Sequence, residues 1–135
     1  MESVPARPTT KAPAERFTGD VWVDVLARGD GESRIRVNRV RFTPGARTAW
    51  HSHSLGQTLH VTDGAGVVAT HEHVIPVRAG DTVHTPAGEE HWHGALPDRF
   101  MAHLAMWEGD ATRWGPLVTD DEYATAVEAA HPGTE

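Results

Sequence analysis

His51-Ser-His53, followed after a Ser54-Leu55-Gly56 break by Gln57, is the stretch that narrows the folds open to this chain most sharply. Two histidines at i and i+2 project from one face of a β-strand, roughly 7 Å apart along it, whereas on a helix they diverge by more than a right angle. The spacing therefore selects a strand. Beyond the break, Gln57, Leu59 and Val61 alternate onto one face of a second strand. Two imidazoles and an amide are thereby aimed toward one place, and a metal ion is the natural centre for them.

The same short period runs through most of the chain. Val21, Val23 and Val25 share a face before the Arg28-Gly-Asp-Gly31 turn. In the next run Asn38, Val40 and Phe42 turn inward while Arg39 and Arg41 face solvent. An inward Asn38 has two readings, an amide satisfied by backbone groups or a residue lining a pocket. Pro44-Gly45 is a turn, Asp63-Gly-Ala-Gly66 is predicted to be a hairpin before Val67–Thr70, and further strands follow at Val74–Val77, Thr82–Thr85 and Arg99–Trp107. Only the tail changes period: residues 118–130 read as a helix with a Thr119 cap and Glu122 three residues on, stopped by Pro132-Gly133. Many short strands with glycine and proline turns and one terminal helix predict an all-β sandwich or barrel. The expected organisation is a mobile, functionless arm over 1–14, which carries three prolines and little to bury, a barrel over 15–117, and a helix and tail over 118–135.

Composition bounds the chemistry. A chain of 135 residues fits one domain and buries about two-thirds of the surface it exposes when unfolded. With no cysteine, disulfides, zinc–thiolate fingers and iron–sulfur ligation are excluded, so a metal site must use nitrogen and oxygen donors; ten histidines supply them. Twelve basic against 19 acidic residues leave a net charge of -7, which opposes phosphate backbones and anionic lipid, so neither nucleic acid nor membrane is an expected partner. With no signal-peptide pattern and no stretch of transmembrane length, a cytoplasmic, soluble protein is expected.

Written as spacings, the first segment is Gly45, five residues, His51-x-His53, three residues, Gln57, six residues, Gly64, and the second is Gly80, five residues, Pro86-x-Gly88, two residues, His91. The pair resembles the two-part signature of the cupin superfamily, small jelly-roll β-barrels whose first motif carries two His and a Glu and whose second carries a third His. The resemblance implies metal ligation by His51, His53, Gln57 and His91 inside the barrel. Gln57 stands where most metal-binding cupins have Glu, and Ala95 where the second motif usually ends in Asn. An amide leaves the full dipositive charge on the metal, giving a stronger Lewis acid and a less tightly held ion. The longer strings from Pro44 to Gln57 and from His91 to Ala95, with Thr119-Asp-Asp-Glu-Tyr123, look like a narrower group of small bacterial cupins that includes the manganese-dependent hydroxynitrile lyases. That likeness implies a divalent metal, manganese(II) foremost, with iron, nickel, zinc or cobalt able to use the same donors.

Alternation adds candidates for proton transfer. His93 shares a face with His91, and His103, Ala105 and Trp107 share a parity on another strand, so His93 and His103 are the candidate catalytic imidazoles, with orientation of neighbours as the other role open to His93. Val40, Phe42, Leu59, Met101 and Trp107, with Asn38, are expected to line the substrate pocket. The likeness to the hydroxynitrile lyases implies a metal-dependent lyase that cleaves and forms an aromatic cyanohydrin. An oxygenase acting on a small aromatic or carbonyl substrate and a barrel that binds a small ligand without turnover are the alternatives. His60, His71, His73 and His131 fall outward or in turns and tail and are assigned no role, and Glu89 and Glu90 are expected in solvent. Trp50 and Trp92 alternate to the outside of their strands, where large aromatics need cover from the N-terminal segment, the C-terminal helix or a partner subunit, and the cupin resemblance implies that the partner is a further copy of the chain in a homo-oligomer, dimer or tetramer.

Overall fold

The computed structural model describes residues 1–109 and 112–130. Among the described residues, twelve strands precede one helix: β1 (Thr10–Lys11), β2 (Phe17–Thr18), β3 (Val21–Arg28), β4 (Ile35–Phe42), β5 (Arg47–Thr48), β6 (His51–His53), β7 (Gln57–Ala69), β8 (Val74–Arg78), β9 (Thr82–Thr85), β10 (Trp92–Ala95), β11 (Met101–Glu108), β12 (Thr112–Trp114) and α1 (Asp120–Ala130). The pairing order is β1-β3-β4-β11-β7-β10-β5-β2, with β8 and β9 also on β7 and a separate β12-β6 pair. This curled sheet is the predicted jelly-roll barrel with one short C-terminal helix.

The 13-residue β7 makes the curl. Its first half pairs with β9 and β11, and its second with β8 and β10. The predicted hairpin at Asp63–Gly66 is therefore a bend within one strand. Gly64 at φ 75° turns the chain without reversing it, beside a register shift opposite Ala102 and His103. A Cβ at Gly64 would lie 1.9 Å from the Phe100 carbonyl oxygen. Gly64→Ala combines a left-handed backbone cost with overpacking and is expected to destabilise the fold by roughly 2–4 kcal/mol, read as a lower urea midpoint at unchanged slope.

Alternation fills two cores. Inside the curl, Val21, Val40, Phe42, Leu59, Val61 and Met101 pack together, each such side chain contributing about 1.5–3 kcal/mol by leaving water. Outside it, Trp50, Val67, Ala69 and Trp92 pack under Tyr123 and Ala126 of α1. The cover for both tryptophans comes from the chain's own helix, so they no longer argue for a partner subunit. Arg47 latches that helix from β5: its guanidinium donates to the Val118 carbonyl at 3.0 Å and to Asp120 at 2.8 Å, and lies 4.5 Å from the Tyr123 ring centroid. The predicted capping box is present, with Glu122 N–H donating to the Thr119 hydroxyl and Thr119 N–H to the Glu122 carboxylate. The predicted stop at Pro132-Gly133, like His131, lies outside the described residues. No helix among the described residues is long and apolar enough to cross a membrane.

The N-terminal arm differs from expectation. Thr10 and Lys11 pair with Val23 and Trp22, Ala12 N–H donates to the Val21 carbonyl, and the Thr9 hydroxyl bonds Asp24, which also holds Arg39 and Arg41. The edge of β3 offers unpaired backbone groups, and two β-branched threonines suit a strand on it. The free arm therefore ends before Thr9.

Candidate metal centre and pocket

The two sequence motifs meet in an antiparallel bridge. His51 N–H donates to the His91 carbonyl and His91 N–H to the His51 carbonyl, both at 2.9 Å, which sets their rings 4.3 Å apart. Alternation then adds His53 beyond His51 and His93 beyond His91, with ring centroids 5.2 Å from His51 in each case. The donor nitrogens of His51, His91 and His93 all lie within 4.8 Å of one another. These three imidazoles form a group able to hold a divalent metal.

Backbone carbonyls set the tautomers. His51 Nδ1–H donates to Ala49 at 2.9 Å and His91 Nδ1–H to Glu89 at 3.0 Å, so each presents the lone pair of Nε2 to the interior. His91 Nε2 then faces Gln57 Oε1 at 3.1 Å. Two acceptors in contact repel unless the amide is turned or a cation lies against both. His53 bonds the Thr112 hydroxyl through Nδ1 at 3.2 Å, while its Nε2 is buried without a partner among the described residues. An unpaired buried donor or acceptor costs about 1–3 kcal/mol, and a metal ion removes that cost for several groups together. The donor set therefore fits a divalent cation of borderline hardness.

His93 Nδ1 lies 3.0 Å from His103 Nε2, and His93 Nε2 is buried and unpartnered among the described residues. His103 itself is fully buried against Phe42, with ring centroids 5.3 Å apart, and does not line the pocket. It meets the pocket only through His93. A cavity of about 290 Å³ opens over His51, His53, Gln57 and His93. Of the predicted lining residues, Asn38, Val40 and Trp107 are on its wall. Phe42, Leu59 and Met101 are instead in the core beneath it, because they share the inward face but sit deeper or on the other side of the curl. Sequence reasoning missed other parts of the lining, among them Thr10 to Pro13 of the arm with Phe17 and Trp114. Trp114 pairs with His51 across β12 and β6 and brings its ring 4.9 Å from that imidazole.

His71 stacks on Trp50 at 3.9 Å and bonds Glu90 at 2.6 Å, on the outside of the barrel and away from the cavity. Nothing there alters the expectation that it has no role in the site.

Burial holds the interior imidazoles neutral. It pushes His51 and His93 well below the usual histidine range, aided by repulsion from His91 at His51 and from His103 at His93. Burial lowers His91 as well and takes His53 and His103 down to about 4. Neutral imidazole is the form a metal requires. Because the folded values lie below the unfolded one, the stability from keeping these rings neutral is complete above about pH 6.5 and is lost as pH falls toward 4, at about 1.4 kcal/mol per unit of depression. The metal-free protein is thus expected to show urea midpoints that drop steeply between pH 6.5 and 4.5. A flat profile contradicts neutral burial.

Comparison with known proteins finds relatives that share this fold. A family model described as a cupin domain matches residues 38–107. An (R)-mandelonitrile lyase of Granulicella tundricola is 42% identical over 127 residues, spanning 91% of this chain and 97% of that protein. The crystal structure of a cupin-like protein from Thermotoga maritima superposes with a TM-score of 0.84 at 38% identity, over 88% of this chain and 93% of that one. A polyketide cyclase from Streptomyces resistomycificus, 19% identical, shares the fold with a TM-score of 0.70 over 91% of this chain and 90% of its own.

Proposed function

The chain belongs to the cupin family, and from that premise we propose that it is a metal-dependent lyase of the hydroxynitrile type, cleaving an aromatic cyanohydrin to aldehyde and cyanide and catalysing the reverse addition. The observation that carries this reading is a cluster of neutral, buried imidazoles at one small pocket, in which His93, itself within reach of the metal-holding group, is also paired with the buried His103. His51, His53, Gln57 and His91 would hold the metal, manganese(II) in the first instance, although the order of intrinsic affinities favours nickel, copper or zinc and leaves occupancy to availability. When bound, such an ion supplies Lewis-acid polarisation of the substrate oxygen with no redox change.

The residues provide the proton path. To act as base His93 would carry its hydrogen on Nδ1, donated to His103 Nε2 across their 3.0 Å contact, and would keep the Nε2 lone pair for the substrate. That nitrogen takes the hydroxyl proton as the carbon–carbon bond to the nitrile breaks; cyanide leaves with the bonding pair, the oxygen becomes the aldehyde carbonyl, and His93 returns the proton to cyanide. His103 keeps the tautomer and orientation of His93 through each exchange. Phe17, Val40, Trp107 and Trp114 give the ring an apolar wall. The identity to a protein named as a mandelonitrile lyase supports the substrate class. An oxygenase is the weaker reading, because Gln57 withholds the anionic ligand that steadies an oxidised metal.

The direct test is cyanide release from mandelonitrile and its synthesis from benzaldehyde and cyanide by manganese-loaded protein. Absence of both in metal-replete protein removes the proposal. A homo-oligomer is part of the same reading, supported by exposed Trp22, Leu26 and Ile35 on β3 and β4. Light scattering that returns the mass of a single chain at micromolar concentration contradicts it.

A further inference from the structure

We propose that Asn38 is a specificity-determining residue whose amide recognises a hydroxyl on the far edge of the substrate's aromatic ring, meta or para to the reacting carbon. The inference rests on the reading that the pocket takes an aromatic carbonyl or cyanohydrin, and it names which members of that class are preferred.

The amides and hydroxyls of the pocket wall are otherwise engaged. Thr48 accepts from His93 N–H, Thr112 meets His53, Thr10 reaches the Val23 carbonyl, and Gln57 faces His91. Asn38 lines the same cavity, and its side chain has no hydrogen-bond partner among the described residues. Its surroundings are apolar: Val25 and Ala105 are its cross-strand partners, and Val23 and Val40 stand on the wall beside it. The amide is part-buried and open to the cavity, so its hydrogen-bonding capacity is left for whatever occupies that cavity.

Register fixes which part of a substrate reaches it. Asn38 pairs with Ala105, Ala105 with Leu59, and Gln57 lies one inward position further along β7. Two strand spacings across and two residues along separate the backbones of Asn38 and Gln57 by roughly 10–12 Å. The methyl group of Ala105 leaves the space between them open. A ring whose reacting carbon stands beside Gln57 thus turns its remote edge, not its ortho position, toward Asn38. The amide both donates and accepts, which suits a phenolic hydroxyl.

The experiment is calorimetric titration of the manganese-loaded protein with benzaldehyde and with 2-, 3- and 4-hydroxybenzaldehyde, without cyanide so that nothing turns over. The native protein is expected to bind the 3- or 4-hydroxy compound roughly three- to tenfold more tightly than benzaldehyde. In Asn38→Leu that ratio is expected to fall to about one. Asn38→Ala carries the same comparison should the leucine variant fold poorly, since the ratio is internal to each protein. No preference in the native protein, a preference retained in both variants, gain with the 2-hydroxy isomer alone, or no aldehyde binding at all overturns the proposal. The preference appearing in a protein that neither makes nor cleaves cyanohydrins leaves Asn38 as assigned and removes the lyase reading; cyanohydrin turnover with no preference does the reverse.

Discussion

His93→Ala is expected to lower cyanide release from mandelonitrile by roughly 10²–10⁴-fold while the protein keeps its full complement of metal. The loss follows from removing the imidazole whose Nδ1 meets the buried His103 and whose ring lines the pocket. Metal retention is the informative half of the result. The nitrogens of His93 lie close enough to those of His51 and His91 for it to serve as a ligand instead. If it does, the alanine variant loses metal together with activity, and measuring metal content beside rate separates the two roles. His91→Ala offers the contrast, since it removes a proposed ligand whose tautomer Glu89 fixes, and metal and activity should vanish together.

Gln57→Glu is expected to tighten metal binding by at least about tenfold and to slow cleavage by on the order of ten- to hundredfold. The amide is buried with its oxygen on His91 Nε2, so the substitution places a negative charge where the metal would be held, without changing shape. A carboxylate neutralises half the charge of a divalent ion and blunts its pull on the substrate oxygen. Affinity by competition with a chelator and rate on mandelonitrile should therefore move in opposite directions. If both stay unchanged, ligand charge does not govern this centre.

Side-chain parity made much of the site legible before any coordinates. The i, i+2 spacing of His51 with His53 and of His91 with His93 put four imidazoles on inward faces, and the bridge between His51 and His91 brings those faces together. Asn38 and Val40 were likewise placed by alternation alone. Parity gives a face and not a depth, however. Met101, His103, Ala105 and Trp107 share one face of β11, yet Ala105 and Trp107 reach the cavity while His103 stops behind His93 and Met101 lies in the core. Depth depends on register against β4 and β7, which no single strand encodes.

Glycine misled for a related reason. Asp63-Gly-Ala-Gly66 carries the composition of a hairpin, but backbone pairing on both sides of β7 holds the chain extended and uses Gly64 to bend it from one half of the curl to the other. The arm and β12 were illegible because two- and three-residue strands have no period to detect. Thr10 to Pro13 and Trp114 owe their place on the pocket wall to pairing with β3 and β6, not to any pattern of their own.

The chemistry assigned to the pocket is tested most directly by elemental analysis of protein from unsupplemented and manganese-supplemented cultures, paired with cyanide release from mandelonitrile by each sample. Cyanide release is expected to rise in proportion to manganese occupancy, to disappear on chelation and to return on reloading. Protein filled with manganese at one ion per chain that releases no cyanide, or release that persists undiminished after the metal is stripped, contradicts a metal-assisted lyase.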